Sequence, residues 1–101
     1  MAQGDAISFY KVGLADSANL EIKPGTDLGG SGDHWSIHEL YIGSACSIQW
    51  TNGTQTITLA TPTGVKWITN LFTHTTSSYW LRIRNTSGGP ADFGYSGIQT
   101  K

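Results

Sequence analysis

The chain has 101 residues, 13% of them charged, with a net charge of −1 and one cysteine. A single domain of this length buries roughly 60–65% of its unfolded surface, which allows a two-layer core and leaves little room for an enclosed active site. The charge balance excludes the electrostatic footprint of a nucleic-acid or anionic-membrane binder. No segment approaches the ~20 apolar residues that span a bilayer.

The start, "MAQGDAISF", has no basic segment followed by an apolar run, so it does not read as a signal peptide. Residues 1–5, with Ala2, Gln3, Gly4 and Asp5, read as a flexible polar arm before a single domain over 6–101. "AISFYKV" (6–12) alternates and opens the fold. "SANLEIK" (17–23) sets Leu20 and Ile22 on one face and Asn19, Glu21 and Lys23 on the other, a period of two. The glycine-rich stretch 24–33 is the longest break. Further strands are expected at 34–42, 46–51, 54–60, 65–75, 79–85 and 92–99.

Asn-Gly in "TNGT" (51–54) predicts a hairpin between "CSIQW" and "TQTITLA", with Cys46, Ile48, Trp50, Ile57 and Leu59 facing inward. The run 65–85 reads as a second hairpin turning at "TTSS". Its first arm has Trp67 and Leu71 on one side and Ile68 and Phe72 on the other, which calls for burial on both faces or a bulge. About eight short strands at ten-residue spacing predict an all-β fold, a single-domain antiparallel β-sandwich or jelly-roll-like barrel.

The cluster "DHWSIHE" (33–39) places two histidines and two acids within seven residues. As a strand at ~3.3 Å per residue it holds His34 and His38 about 13 Å apart, too far to share one metal ion. Leu40 and Ile42 fall on the opposite parity to Trp35 and Ile37, so a bulge near His38–Glu39 is expected. The chain lacks a GxSxG elbow, a phosphate loop and a CxxC pair, and its carboxylates sit mostly in turns. A Cys46–His74 couple is weakened by the inward parity of Cys46, since a buried thiol is unreactive. Neither a catalytic residue, a metal site nor a cofactor is expected. The sequons at Asn52 and Asn85 read as turns.

"YWLRIRN" (79–85) carries the strongest binding signal. With Tyr79, Leu81 and Ile83 inward, Trp80, Arg82 and Arg84 line an outward face, and Lys66, Asn70 and His74 stand opposite on the preceding arm. Trp and Arg on an exposed face are residue types enriched at binding hot spots. The bland reading of the same residues is a tryptophan covered by arginine stems and stabilised by cation–π contact.

Taken together, "LEIKPG…WSIHELYIG", "IQWTNGTQTITL" and "YWLRIRNTSGGPADFGYSGIQTK" resemble a group of small tailed-phage virion proteins, over about residues 17–101. The shared features are turn-and-strand motifs, and they define no functional residues. The resemblance implies a non-enzymatic capsid decoration (cement) protein that binds the major capsid protein, forms a homo-oligomer with a trimer favoured, and resides in the virion after assembly in the host cytoplasm. Neither nucleic acid nor membrane is expected as a partner. The alternative is a small carbohydrate-binding, lectin-like module, in which an exposed Trp stacks on a sugar. A toxin-like membrane binder is disfavoured by the inward alternation of the aromatics.

Overall fold

Alternation of apolar and polar residues fixes where the backbone extends, and β-branched Ile, Thr and Val fill the strands that result. A computed structural model describes residues 6–23, 34–69, 71, 73–76 and 78–100. The arm residues Ala2, Gln3, Gly4 and Asp5, the glycine-rich stretch 24–33, and Asn70 lie outside the described residues. Nine strands occur among the described residues: β1 (Ala6–Leu14), β2 (Asn19–Ile22), β3 (His34–Ile42), β4 (Cys46–Thr51), β5 (Thr56–Ala60), β6 (Lys66–Ile68), β7 (Thr73–Thr76), β8 (Trp80–Asn85) and β9 (Ala91–Gln99).

The strands form two antiparallel sheets. Sheet A runs β1–β9–β3–β6, with β7 also on β3, and sheet B runs β2–β8–β4–β5. The pairings are nested: β1 with β9, β2 with β8, β3 with β6 and β7, β4 with β5. The chain is thus one long antiparallel ribbon with its tip at 52–55, wound so that successive pairs fall alternately in sheets A and B. That is the jelly-roll arrangement. Segments β6 and β7 occupy one position beside β3, so the expected count of about eight strands is met by nine segments.

Leu20, Ile22, Trp35, Ile37, Leu40, Ile42, Ile48, Leu81, Ile83 and Phe93 interdigitate between the sheets as the core. Two buried polar groups are fully occupied there. Trp35 Nε1 donates to Gln99 Oε1 at 2.9 Å. The Asn85 amide donates to the carbonyls of Leu14 (2.7 Å) and Gly89 (2.8 Å), and its oxygen accepts from Ser87 N at 2.9 Å. Leaving either group unpaired would cost on the order of 1–3 kcal/mol.

The 51–54 hairpin forms, through a longer loop than Asn-Gly alone predicts. Gly53 takes φ 94°, while Asn52 uses its side chain, accepting from Thr54 N at 2.9 Å and Gln55 N at 2.7 Å. The bulge expected near His38–Glu39 is present, with the β3–β9 register shifting between Ile37 and Glu39.

The second expected hairpin does not form. Strand β7 pairs with β3 in sheet A, whereas β8 pairs with β2 and β4 in sheet B. Thr76 and Tyr79 instead mark the passage from one sheet to the other, Thr76 N donating to Tyr79 O at 2.6 Å. Ile57 and Leu59 also depart from expectation, being 59% and 49% exposed. Strand β5 is exposed along its whole length, so its inward-parity side meets no opposing sheet among the described residues.

Candidate binding surfaces

On sheet B the alternation of "WLRIRN" works as expected: Leu81, Ile83 and Asn85 are buried while Arg82 and Arg84 are half-buried on the outer side. Trp80 shares that outer side yet is only 8% exposed. Its Nε1 donates to Glu21 Oε2, Lys23 Nζ lies 4.1 Å from the ring centroid, and the 51–54 turn closes over the ring edge at Gly53. Glu21 also pairs with Arg82 Nε. Arg84 donates to Asn19 Oδ1 at 3.4 Å, and Gln49 Nε2 donates to Ser47 Oγ at 3.3 Å. This face is an internally paired polar network with its one large ring covered.

Lys66 and His74 do not stand opposite Trp80, Arg82 and Arg84. Lys66 sits on β6 against Ile42, and His74 sits on β7 against Ser36, both on the edge of sheet A. The correction follows from the failed hairpin, since the neighbours of β8 are β2 and β4. His74 instead stacks with His34, ring centroids 5.3 Å apart. His38 Nε2 lies 3.1 Å from Ser36 Oγ. Among the described residues no group of three His, Cys, Asp or Glu is placed to hold a metal ion. Cys46 is buried, and burial pushes its thiol pKa up to about 11, so it is protonated at neutral pH.

The outer face of sheet A has the opposite character. The register sets Tyr10 against Gly94, Gly94 against Tyr41, and Tyr41 against Trp67, one row across four strands. Tyr10 and Tyr41 have ring centroids 5.9 Å apart, and Tyr41 and Trp67 4.8 Å. Gly94 contributes no side chain, so the row dips over β9 into a trough of about 440 Å³. Tyr10 and Trp67 are 53% and 67% exposed. Along one side runs a polar row, Ser8 against Ser96 and Ser96 against Glu39, in which Ser96 Oγ donates to Glu39 Oε1 at 3.0 Å. At the other side the Tyr10 hydroxyl donates to Asp92 Oδ2 at 3.1 Å.

A third feature is the β5 edge. Among the described residues β5 pairs only with β4, and the stretch 51–65 contains no charged residue. Trp50 and Tyr79, with ring centroids 5.1 Å apart, line a shallow hollow beside Ile57.

Sequence reasoning missed the aromatic row. Trp67 sits in an arm expected to be buried on both faces and is instead exposed. The row exists only because β1, β9, β3 and β6 adjoin, a long-range arrangement that local alternation does not encode. Neither a family model nor a curated protein sequence matches the chain.

Proposed function

We propose that the protein is a non-enzymatic structural component of a tailed-phage virion, which decorates the head by binding the major capsid protein and assembles with its own copies, a trimer being the favoured state. The observation that carries this reading is the edge that β5 presents among the described residues, where it pairs only with β4. Soluble monomers shield strand edges with charge, proline or cover. Here β5 offers backbone donors and acceptors beside exposed Ile57 and Leu59, in a stretch without charge. An edge of this kind suits assembly, and a ring about a symmetry axis covers the edge of every copy equally. The turn-and-strand likeness to small virion proteins over 17–101 supports the same reading. Trp80 acts in it as structural support, and Arg82 and Arg84 as the polar outer surface of sheet B.

The test is to add the purified protein to heads assembled from the major capsid protein of the same phage. Saturable co-sedimentation at a fixed ratio to capsid subunits, with a higher temperature of head disruption, is the expected result. Heads that take up none of the protein at micromolar concentration refute the reading.

A further inference from the structure

We propose that the trough on the outer face of sheet A is a carbohydrate-binding site that takes an uncharged oligosaccharide of roughly two or three rings, the size a cleft of a few hundred Å³ holds. The proposal stands on this face alone and does not depend on the virion reading.

A pyranose has apolar C–H faces and a rim of hydroxyl groups, so a site for it combines exposed aromatic rings with hydrogen-bond acceptors beside them. Both are present in adjoining rows. Tyr10, Tyr41 and Trp67 form the aromatic row, and Gly94 between the two tyrosines clears the floor. A Cβ at Gly94 would stand 3.1 Å from the Tyr10 ring and 3.2 Å from Phe9 O, so any side chain there would crowd the trough. Glu39 is exposed on the neighbouring row, and the Ser96 hydroxyl holds one of its oxygens. The Tyr10 ring is likewise held from the far side by Asp92. The rings are thus partly fixed before a ligand arrives, which lowers the entropy lost on binding.

The charged groups select among ligands. An ionised carboxylate only accepts hydrogen bonds, and sugar hydroxyls donate them. Among the described residues no cationic side chain lines the trough, so a phosphorylated, sulfated or acidic sugar would meet Glu39 without a counter-charge. A proline-rich peptide also docks on aromatic grooves, but its prolines present carbonyl acceptors and lack N–H donors, which leaves the carboxylate unmatched. A second copy docked face to face would set two concave surfaces and two Glu39 carboxylates against each other.

The experiment titrates the full chain with maltotriose, cellotriose and chitotriose, followed by a panel of immobilised neutral glycans, reading tryptophan fluorescence and the Trp67 indole N–H resonance. At least one of these sugars is expected to saturate at millimolar concentration. Trp67→Ala and Tyr41→Ala should each weaken it by about tenfold or more, the scale of an aromatic anchor. Glu39→Gln should weaken it too, and Tyr79→Ala, an exposed ring elsewhere, should leave it unchanged. Because Trp67 is exposed on an edge segment, its replacement should leave the melting temperature nearly unmoved. The proposal is overturned if no sugar in either set binds. It is also overturned if Trp67→Ala binds as the parent does, or if that variant loses self-association instead of sugar.

Discussion

Glu21 receives the indole N–H of Trp80 and the Nε–H of Arg82, and Lys23 lies over the indole ring. Trp80→Ala therefore removes a covered ring and leaves Glu21 with Arg82 in place of two partners. The expected loss is about 3 kcal/mol of stability, a fall in Tm on the order of 10 °C, read by circular dichroism. A loss under about 1 kcal/mol would mean that the ring is not a structural clamp. The side of the sheet on which Trp80 lies was legible from parity in "YWLRIRN". Its cover was not, because Glu21 on β2 and Lys23 just after it lie about sixty residues away. Cys46 offers a second test at this scale. A thiol is charged when deprotonated, and burial raises its pKa from 9.0 to about 11 in the folded chain. Its contribution is thus complete below about pH 9 and is lost as pH rises toward about 11, by on the order of 2 kcal/mol. The stability of the parent relative to Cys46→Ala should fall across that window, measured by urea unfolding. A difference that stays constant with pH would show that the folded thiol titrates normally.

At the scale of elements, β3 shows what a sequence pattern can specify alone. Trp35 and Ile37 lie on one parity and Leu40 and Ile42 on the other, and a strand with one buried face can accommodate both pairs only through an extra residue. The structure inserts it at His38–Glu39, opposite Gly97 and Ser96. The bulged strand passes so close to β9 there that a Cβ at Gly97 would collide with Ser36 O and stand 2.9 Å from Ile37 Cα. Gly97→Ala is therefore expected to cost more than about 2 kcal/mol, as overpacked backbone contacts do. Gly64→Ala, where an added Cβ would meet no atom within 4 Å beyond its chain neighbours, should stay within about 0.5 kcal/mol of the parent in thermal melts. Equal melting temperatures for the two variants would contradict the close approach. The run 65–85 shows the limit of the same reasoning. Two strand-like arms around "TTSS" look alike whether they pair with each other or turn a corner into separate sheets. Only the competing partners, β3 for β7 and β2 and β4 for β8, decide between those outcomes.

At the scale of the whole molecule, a nested ribbon wound into two sheets leaves strand edges, and the chain treats them unequally. Charged residues mark β1 (Lys11), β2 (Glu21, then Lys23) and the start of β6 (Lys66), while the ribbon's tip has none from Thr51 to Val65. The absence of charge was legible in the sequence. That this strand is an uncovered edge was not, because "TQTITLA" has the alternation of a strand packed on a core. Its apolar residues expected inside, Ile57 and Leu59, are the exposed ones. Two Lys substitutions on this strand, Ile57→Lys with Leu59→Lys, place like charges where a neighbouring copy would pair. They remove little core packing, so monomer stability should change by less than about 1 kcal/mol. Multi-angle light scattering at micromolar concentration should give the parent a mass near three times the 10.9 kDa chain. The double variant should give the mass of one chain with an unaltered far-ultraviolet spectrum. Addition of salt should partly restore the assembly, because the introduced repulsion is exposed and screened. A parent that is monomeric at those concentrations, or a double variant that assembles as the parent does, would remove β5 as the self-association edge.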